Sequence, residues 1–254
     1  MAKTLLIKLA ETVDNNKLPY LGEIRVGIKP ISTVASYAAN AHSQFFTVRA
    51  TEPIPMEITG DGHFTDSTLT ENLGKTYTMP AGRNTMYVSD GNSILSIRNK
   101  YAIAGFSMGD GNYTSDGTHF HWNVNLNDFM YMKSLDAIYL MWTSTSGDLS
   151  VFKTIQNMNF FLITSSYYGL TGDLSNLSHL TNLTQLNLFE AFNITGDISS
   201  IAGMTNLTVL DLGSCRNVTG DTSSIAALHP NNGGKLGSLN ISGTQVTGTW
   251  PPSA

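Results

Sequence analysis

One cysteine, Cys215, in 254 residues leaves no intramolecular disulfide framework to hold this chain together. Charge is scarce as well, with 14 basic and 19 acidic residues and a net charge of −5. No basic run or basic–aromatic alternation is present, which removes the electrostatic footprint of a nucleic-acid binder. No apolar stretch is long enough to cross a membrane as a helix. The start, MAKTLLIKLAETVDNN, falls short of a secretory signal, because Lys8 breaks the apolar Leu5–Ala10 and Glu11 follows it. Helical periodicity is rare in the first hundred residues, where Val34–His42 is the best short candidate. Catalytic signatures are missing too: there is no nucleophile elbow, no phosphate-binding loop and no legible Cys–His pairing.

What the chain does have is repetition. Gly147, Gly172, Gly196, Gly220 and Gly248 recur 25, 24, 24 and 28 residues apart. Ser146, Thr171, Thr195, Thr219 and Thr247 precede them, and Asp148, Asp173, Asp197 and Asp221 follow the first four. A period of this length marks a solenoid. Within a unit, Leu174, Leu177, Leu180, Leu183 and Leu186 fall every third residue and Leu188 two later. The next unit matches with Ile198, Ile201, Met204, Leu207, Leu210 and Leu212. Period three suits corners and 3₁₀ segments, and the closing L-x-L suits a short strand.

The segments Leu183-x-x-Leu186-x-Leu188, Leu207-x-x-Leu210-x-Leu212 and Leu236-x-x-Leu239-x-Ile241 resemble the leucine-rich repeat family, and the ITGDI phrase is similar to its plant-type class. Leu135-x-x-Ile138-x-Leu140 and Met158-x-x-Phe161-x-Ile163 fit as two degenerate earlier turns. The resemblance covers a little under half the chain and implies about five turns, with a second short strand near each Thr-Gly pair. The ladder asparagine of the family is replaced by Ala191 and Cys215. Asn193, Asn217 and Gln245, just before the Val/Ile-Thr-Gly phrase, are the substitutes expected to satisfy backbone groups.

Before the repeats, short β-branched runs alternate with turn residues, as at Gly60-Asp61-Gly62 and Pro80-Ala81-Gly82. Asp90-Gly91-Asn92 between MYVS and SILSI reads as a hairpin. The fold expected is mainly β: a sandwich-like domain over residues 1–118, then a leucine-rich-repeat solenoid with its cap segment over 119–254. Phe120, Trp122, Phe129, Tyr131 and Met132 should close the first turn, and Trp250 the last. YTMPAG…YVSDGNSILSIRNKYAIAGF is loosely similar to linking regions of repeat proteins from Bacteroidetes and their phages.

The strand residues turned away from the solenoid interior form its concave surface. Tyr139, Met141, Phe160, Leu162 and Phe189 make the early turns apolar there, and Asn187 and Asp211 follow; these seven residues are the expected binding surface. The aspartate column is expected to cap 3₁₀ turns through backbone N–H groups rather than to hold calcium. His119 and His121 form the one close histidine pair, and metal is not its expected role. Glu190 and Asp211 could be neighbours, yet an open strand offers no pocket that raises a carboxyl pKa, so no enzyme and no cofactor are expected. The function expected is a structural or adhesive protein of a bacteriophage particle, such as a tail fibre, head fibre or capsid decoration. It would be a homo-oligomer located in the virion, without membrane insertion, binding protein partners, a host surface receptor or a glycan. The alternative is a Bacteroidetes cell-surface or secreted binding protein, with a glycan-active enzyme a distant third.

Overall fold

One coil of the repeat shows how the sequence builds the structure. After Gly172, Asp173 caps a 3₁₀ turn, Leu174–Leu177, by accepting the backbone N–H of Ser175 at 2.9 Å. The chain passes Leu180 and Leu183 and enters a short strand, Gln185–Asn187. Another strand, Ala191–Asp197, carries it to the next glycine. Leu174, Leu177, Leu180, Leu183, Leu186 and Leu188 are all fully buried, so the period-three spacing marks the inward corners. A coil buries these groups only against its neighbours, which is why the unit repeats.

A computed structural model describes residues 23–28, 43–60, 63–65, 71–89, 93–109, 122–141, 143–164 and 167–251. The solenoid strands are β10 (Trp122–Asn125), β11 (Ala137–Met141), β12 (Ser144–Asp148), β13 (Phe160–Thr164), β14 (Tyr167–Asp173), β15 (Gln185–Asn187), β16 (Ala191–Asp197), β17 (Val209–Asp211), β18 (Asn217–Thr219) and β19 (Ser238–Asn240). The odd-numbered five form one parallel ladder and the even-numbered five another. Five strands carry the L-x-L element, as the repeats imply, and a second strand lies at Ser146-Gly147, Thr171-Gly172, Thr195-Gly196 and Thr219-Gly220, whereas Thr247 makes only an isolated bridge to Asp221. Asn125 accepts the N–H of Asn127 at 3.0 Å, so an asparagine caps the first coil where later coils use aspartate.

The chain before them supplies β1 (Glu23–Ile28), β2 (Ser43–Ala50), β3 (Ile54–Gly60), β4 (Phe64–Thr65), β5 (Asn72–Gly74), β6 (Thr76–Met79), β7 (Gly82–Ser89), β8 (Ser93–Arg98) and β9 (Ile103–Gly109). These strands are shared between the two sheets of the solenoid. β1 pairs with β10 and β9 with β11, so each solenoid sheet runs on into antiparallel strands. The orders are β18-β16-β14-β12-β10-β1-β8-β3-β6 and β19-β17-β15-β13-β11-β9-β2-β7-β4-β5. This continuity satisfies the backbone groups that the first coil would otherwise present at its edge. One apolar core extends from Phe46 and Val48 through to Leu236. The expected boundary at 118/119, the histidine pair, Phe120 and the helix candidate Val34–His42 lie outside the described residues.

The expected hairpin at Asp90-Gly91-Asn92 is corrected. β7 pairs with β2 and β4, whereas β8 pairs with β1 and β3 in the other sheet. Val88 of β7 and Leu95 of β8 are each fully buried, so the two strands put their apolar sides into the core from opposite sheets instead of pairing within one. A turn signal in the sequence does not fix which sheet receives the second strand. At the first coil, Phe129 and Met132 are buried as expected, while Tyr131 is 51% exposed, its left-handed backbone (φ 66°) turning it outward. Trp250 packs half-buried on the last coil, edge-on to His229 at 5.4 Å.

Candidate functional site

Strand alternation divides the side chains of the ten-stranded sheet. Ile138, Leu140, Phe161, Leu186 and Leu210 face the core with no exposure, and their sequence neighbours form the open face. The register aligns this face in columns. Ala137, Phe160, Gln185, Val209 and Ser238 form one column, and Tyr139, Leu162, Asn187, Asp211 and Asn240 the next. Met141 lies opposite Thr164. Six of the seven residues expected on the binding surface are therefore on one face, and Phe189 lies just beyond the end of β15.

None of the seven is fully exposed; each is half-buried by its neighbours. Tyr139 and Phe160 stack at 6.1 Å with 22° between their planes. Tyr139 donates its hydroxyl hydrogen bond to Met141 Sδ at 3.3 Å, and partial burial pushes the phenol pKa upward. Phe189 approaches a buried glycine: a Cβ on Gly213 would lie 2.8 Å from Phe189 Cδ2 and 2.5 Å from Asn240 Nδ2. Only glycine lets those two side chains close across that position. Asn187 accepts the N–H of Phe189, and Asp211 accepts the N–H of Gly213, each at 2.9 Å. Asp211 also accepts from Asn240 Nδ2 at 2.8 Å. Asn187 and Asp211 thus end their strands through local side-chain-to-backbone turns, a structural duty that the face reading did not include.

The sequence reading missed how far the face extends. Thr47 and Arg49 of β2 align with Ser107 and Gly105 of β9, which align with Tyr139 and Ala137 of β11. On the far side Arg49 lies opposite Arg83 and Thr47 opposite Thr85. Thr47, Arg49 and Arg83 line a depression of about 500 Å³ floored by Gly105, Phe106, Ser107 and Ala137, with Tyr139 and Phe160 at one end and the two arginines at the other. The signal was present in QFFTVRA, where buried Phe46 and Val48 alternate with the outward Thr47 and Arg49. Nothing in that alternation shows that β9 joins the solenoid sheet.

The aspartate column lies on the other sheet and is spent on structure. Oδ1 of Asp148, Asp173, Asp197 and Asp221 accepts the backbone N–H two residues on, at 2.8–2.9 Å. Oδ2 of Asp148 and of Asp221 accepts the threonine hydroxyl of the following coil, Thr171 at 3.2 Å and Thr247 at 2.8 Å. These bonds hold the carboxyls below the usual range. The leading cause is the backbone N–H for Asp148 and Asp221, and the serine hydroxyl for Asp173 and Asp197. The capping role is as expected.

Cys215 is fully buried, and its thiol donates to the Leu188 carbonyl of the preceding coil at 3.1 Å. Cys215 stands where the resemblance would put a ladder asparagine, and burial pushes its pKa up to about 12. Asn217 and Gln245 donate to the carbonyls of Phe192 at 3.0 Å and Arg216 at 2.8 Å, again from one coil to the one before.

No protein-family model matches the chain, and no curated protein does. Among solved structures it is similar to the leucine-rich-repeat ectodomain of the Arabidopsis receptor kinase HAESA in complex with an N-terminally extended IDA peptide hormone. That match has 18% identity over 50% of this chain and 21% of that one, with a TM-score of 0.36. It is also similar to HAESA in complex with IDA and the co-receptor SERK1, at 21% identity over 52% of this chain and 26% of that one, with a TM-score of 0.36. The chain thus spans about a quarter or less of the length of these neighbours.

Proposed function

We propose that this chain is a non-catalytic binding protein that holds a protein partner on the open face of its ten-stranded sheet. The observation that carries this reading is the stacked Tyr139–Phe160 pair at the rim of a depression of about 500 Å³. Half-buried aromatic rings beside a concavity supply a large contact area at low entropic cost. The chemistry that would argue for catalysis is occupied elsewhere: Asp211 ends a strand, the aspartate column caps turns, and Cys215 is a buried thiol. Peptides selected from a displayed random library on the full-length protein should lose binding to the Tyr139→Ala/Phe160→Ala double variant. Peptides that bind the double variant as well as the parent would place the binding surface elsewhere.

The setting we propose is a bacteriophage particle, in which the chain is a structural or adhesive component. Its support is compositional: few charges, one cysteine, and repeats built from Ser, Thr, Asn and Gly. Particle components assemble by symmetry. Light scattering should therefore give a closed oligomer, and a stable monomer at micromolar concentration would count against this setting.

A further inference from the structure

We infer that the depression between β7 and β13 is a docking groove for an acidic segment of the partner, its carboxylate held by Arg83 and Arg49 and its apolar side chain by Tyr139 and Phe160. This inference rests on the open face being the binding surface. The starting point is an electrostatic anomaly. Arg49 and Arg83 are cross-strand partners on adjacent antiparallel strands. Like charges directly opposite each other destabilise a sheet. In a chain with 14 basic residues and a net charge of −5, such a pair needs a reason.

Only half of this charge is balanced. Asp136 forms an ion pair with Arg49, and among the described residues no carboxylate pairs with Arg83. Both of the hydrogen bonds from Arg49, to Asp136 and to the Ala104 carbonyl at 3.4 Å, use Nη2. Its Nε and Nη1 are left for a ligand, and a guanidinium presents its five N–H groups as a planar fork that fits a carboxylate. The Arg49 side chain lies over Gly105, its cross-strand partner: a Cβ there would meet Nε at 3.4 Å and Nη2 at 3.5 Å, ordinary van der Waals contact.

The dimensions fit an extended peptide. From β7 across β2, β9 and β11 to β13 there are four strand spacings, roughly 19 Å. At about 3.3 Å per residue this is the reach of some six extended residues. A segment lying across the strands meets cations at one end and stacked rings at the other, with the Thr47 and Ser107 positions between them. Charge complementarity therefore selects carboxylate side chains at one end and an aromatic or large aliphatic group at the other.

The test uses the full-length chain and a fluorescein-labelled octapeptide with two glutamates at one end and two phenylalanines at the other, followed by fluorescence anisotropy. Arg83→Ala, at an exposed position that leaves the core intact, should weaken binding about tenfold, as should replacing the peptide glutamates by glutamine. The two losses should not add, because they remove the same contact. If the glutamine peptide binds as tightly as the glutamate peptide while Phe160→Ala still weakens both, the acidic reading is overturned and the binding face stands. If neither Arg83→Ala nor Phe160→Ala changes binding, both readings fall. Failure of the peptide to bind, with a sulfated oligosaccharide binding in an Arg83-dependent way, would also overturn the peptide proposal, in favour of a glycan.

Discussion

Replacing Gly196 by alanine should cost the solenoid about 3 kcal/mol. Gly196 has φ 111°, a backbone region that L-residues rarely enter, and forcing a side chain there costs about 1–3 kcal/mol. The new Cβ would also lie 2.8 Å from Asp173 Oδ1 and 2.9 Å from the Leu174 nitrogen. It would push aside the carboxylate that caps the previous 3₁₀ turn, and loss of such a cap costs about 1 kcal/mol. The control is Gly203→Ala, where the φ is not positive and nothing lies within 4 Å of the added Cβ. That change should be neutral or slightly stabilising, since alanine restricts the unfolded chain. Urea unfolding followed by far-ultraviolet circular dichroism on both variants gives the comparison, with the slope m checked for constancy. Equal midpoints for parent and Gly196→Ala, or an equal loss in both variants, would refute the idea that the recurring glycine exists for the close approach of successive coils.

Three further outcomes follow from the same geometry. Leu210→Ala, at a fully buried strand position, should destabilise by about 2–5 kcal/mol in the same assay, and a loss below about 1 kcal/mol would contradict its core placement. The capping carboxyls have folded pKa values below their unfolded ones, so the stability they add is complete above the unfolded value of about 4 and is lost as pH falls through the folded values. The unfolding midpoint should therefore drop as pH is lowered from about 5 toward 3, and a flat profile would count against the caps. Cys215, fully buried with its pKa pushed up to about 12, should resist thiol reagents in the folded protein and react on unfolding, while rapid labelling of the native chain would show that the last coils open readily.

Much of the solenoid could be read residue by residue. Leu174 to Leu188 gave the inward corners because every coil places the same positions against the same neighbours, so local spacing and tertiary burial coincide. The register of Tyr139 with Leu162, Asn187 and Asp211 followed from the same periodicity, as did the capping by the aspartates. The substitution of Cys215 for a ladder asparagine was visible as a departure, but its bond to Leu188 was not.

Outside the repeats, alternation determined which residues face inward and left their partners open. MYVS and SILSI were correctly strands, yet they joined opposite sheets, because two strands with one apolar side each can bury it by facing across a core as well as by pairing. The candidate groove has the same origin. Arg49 and Arg83 are far from Tyr139 and Phe160 in sequence, and nothing local links them. The sequence determined by itself a stacked leucine-rich coil and the side of it that stays open, since both are set by periods of three, two and about 24 residues. Only the tertiary structure decided that β9, β2 and β7 extend the same sheet and bring Arg49 and Arg83 onto the face of the aromatic pair, because strand pairing between distant segments is chosen by the competition among all available edges and not by any one segment's pattern.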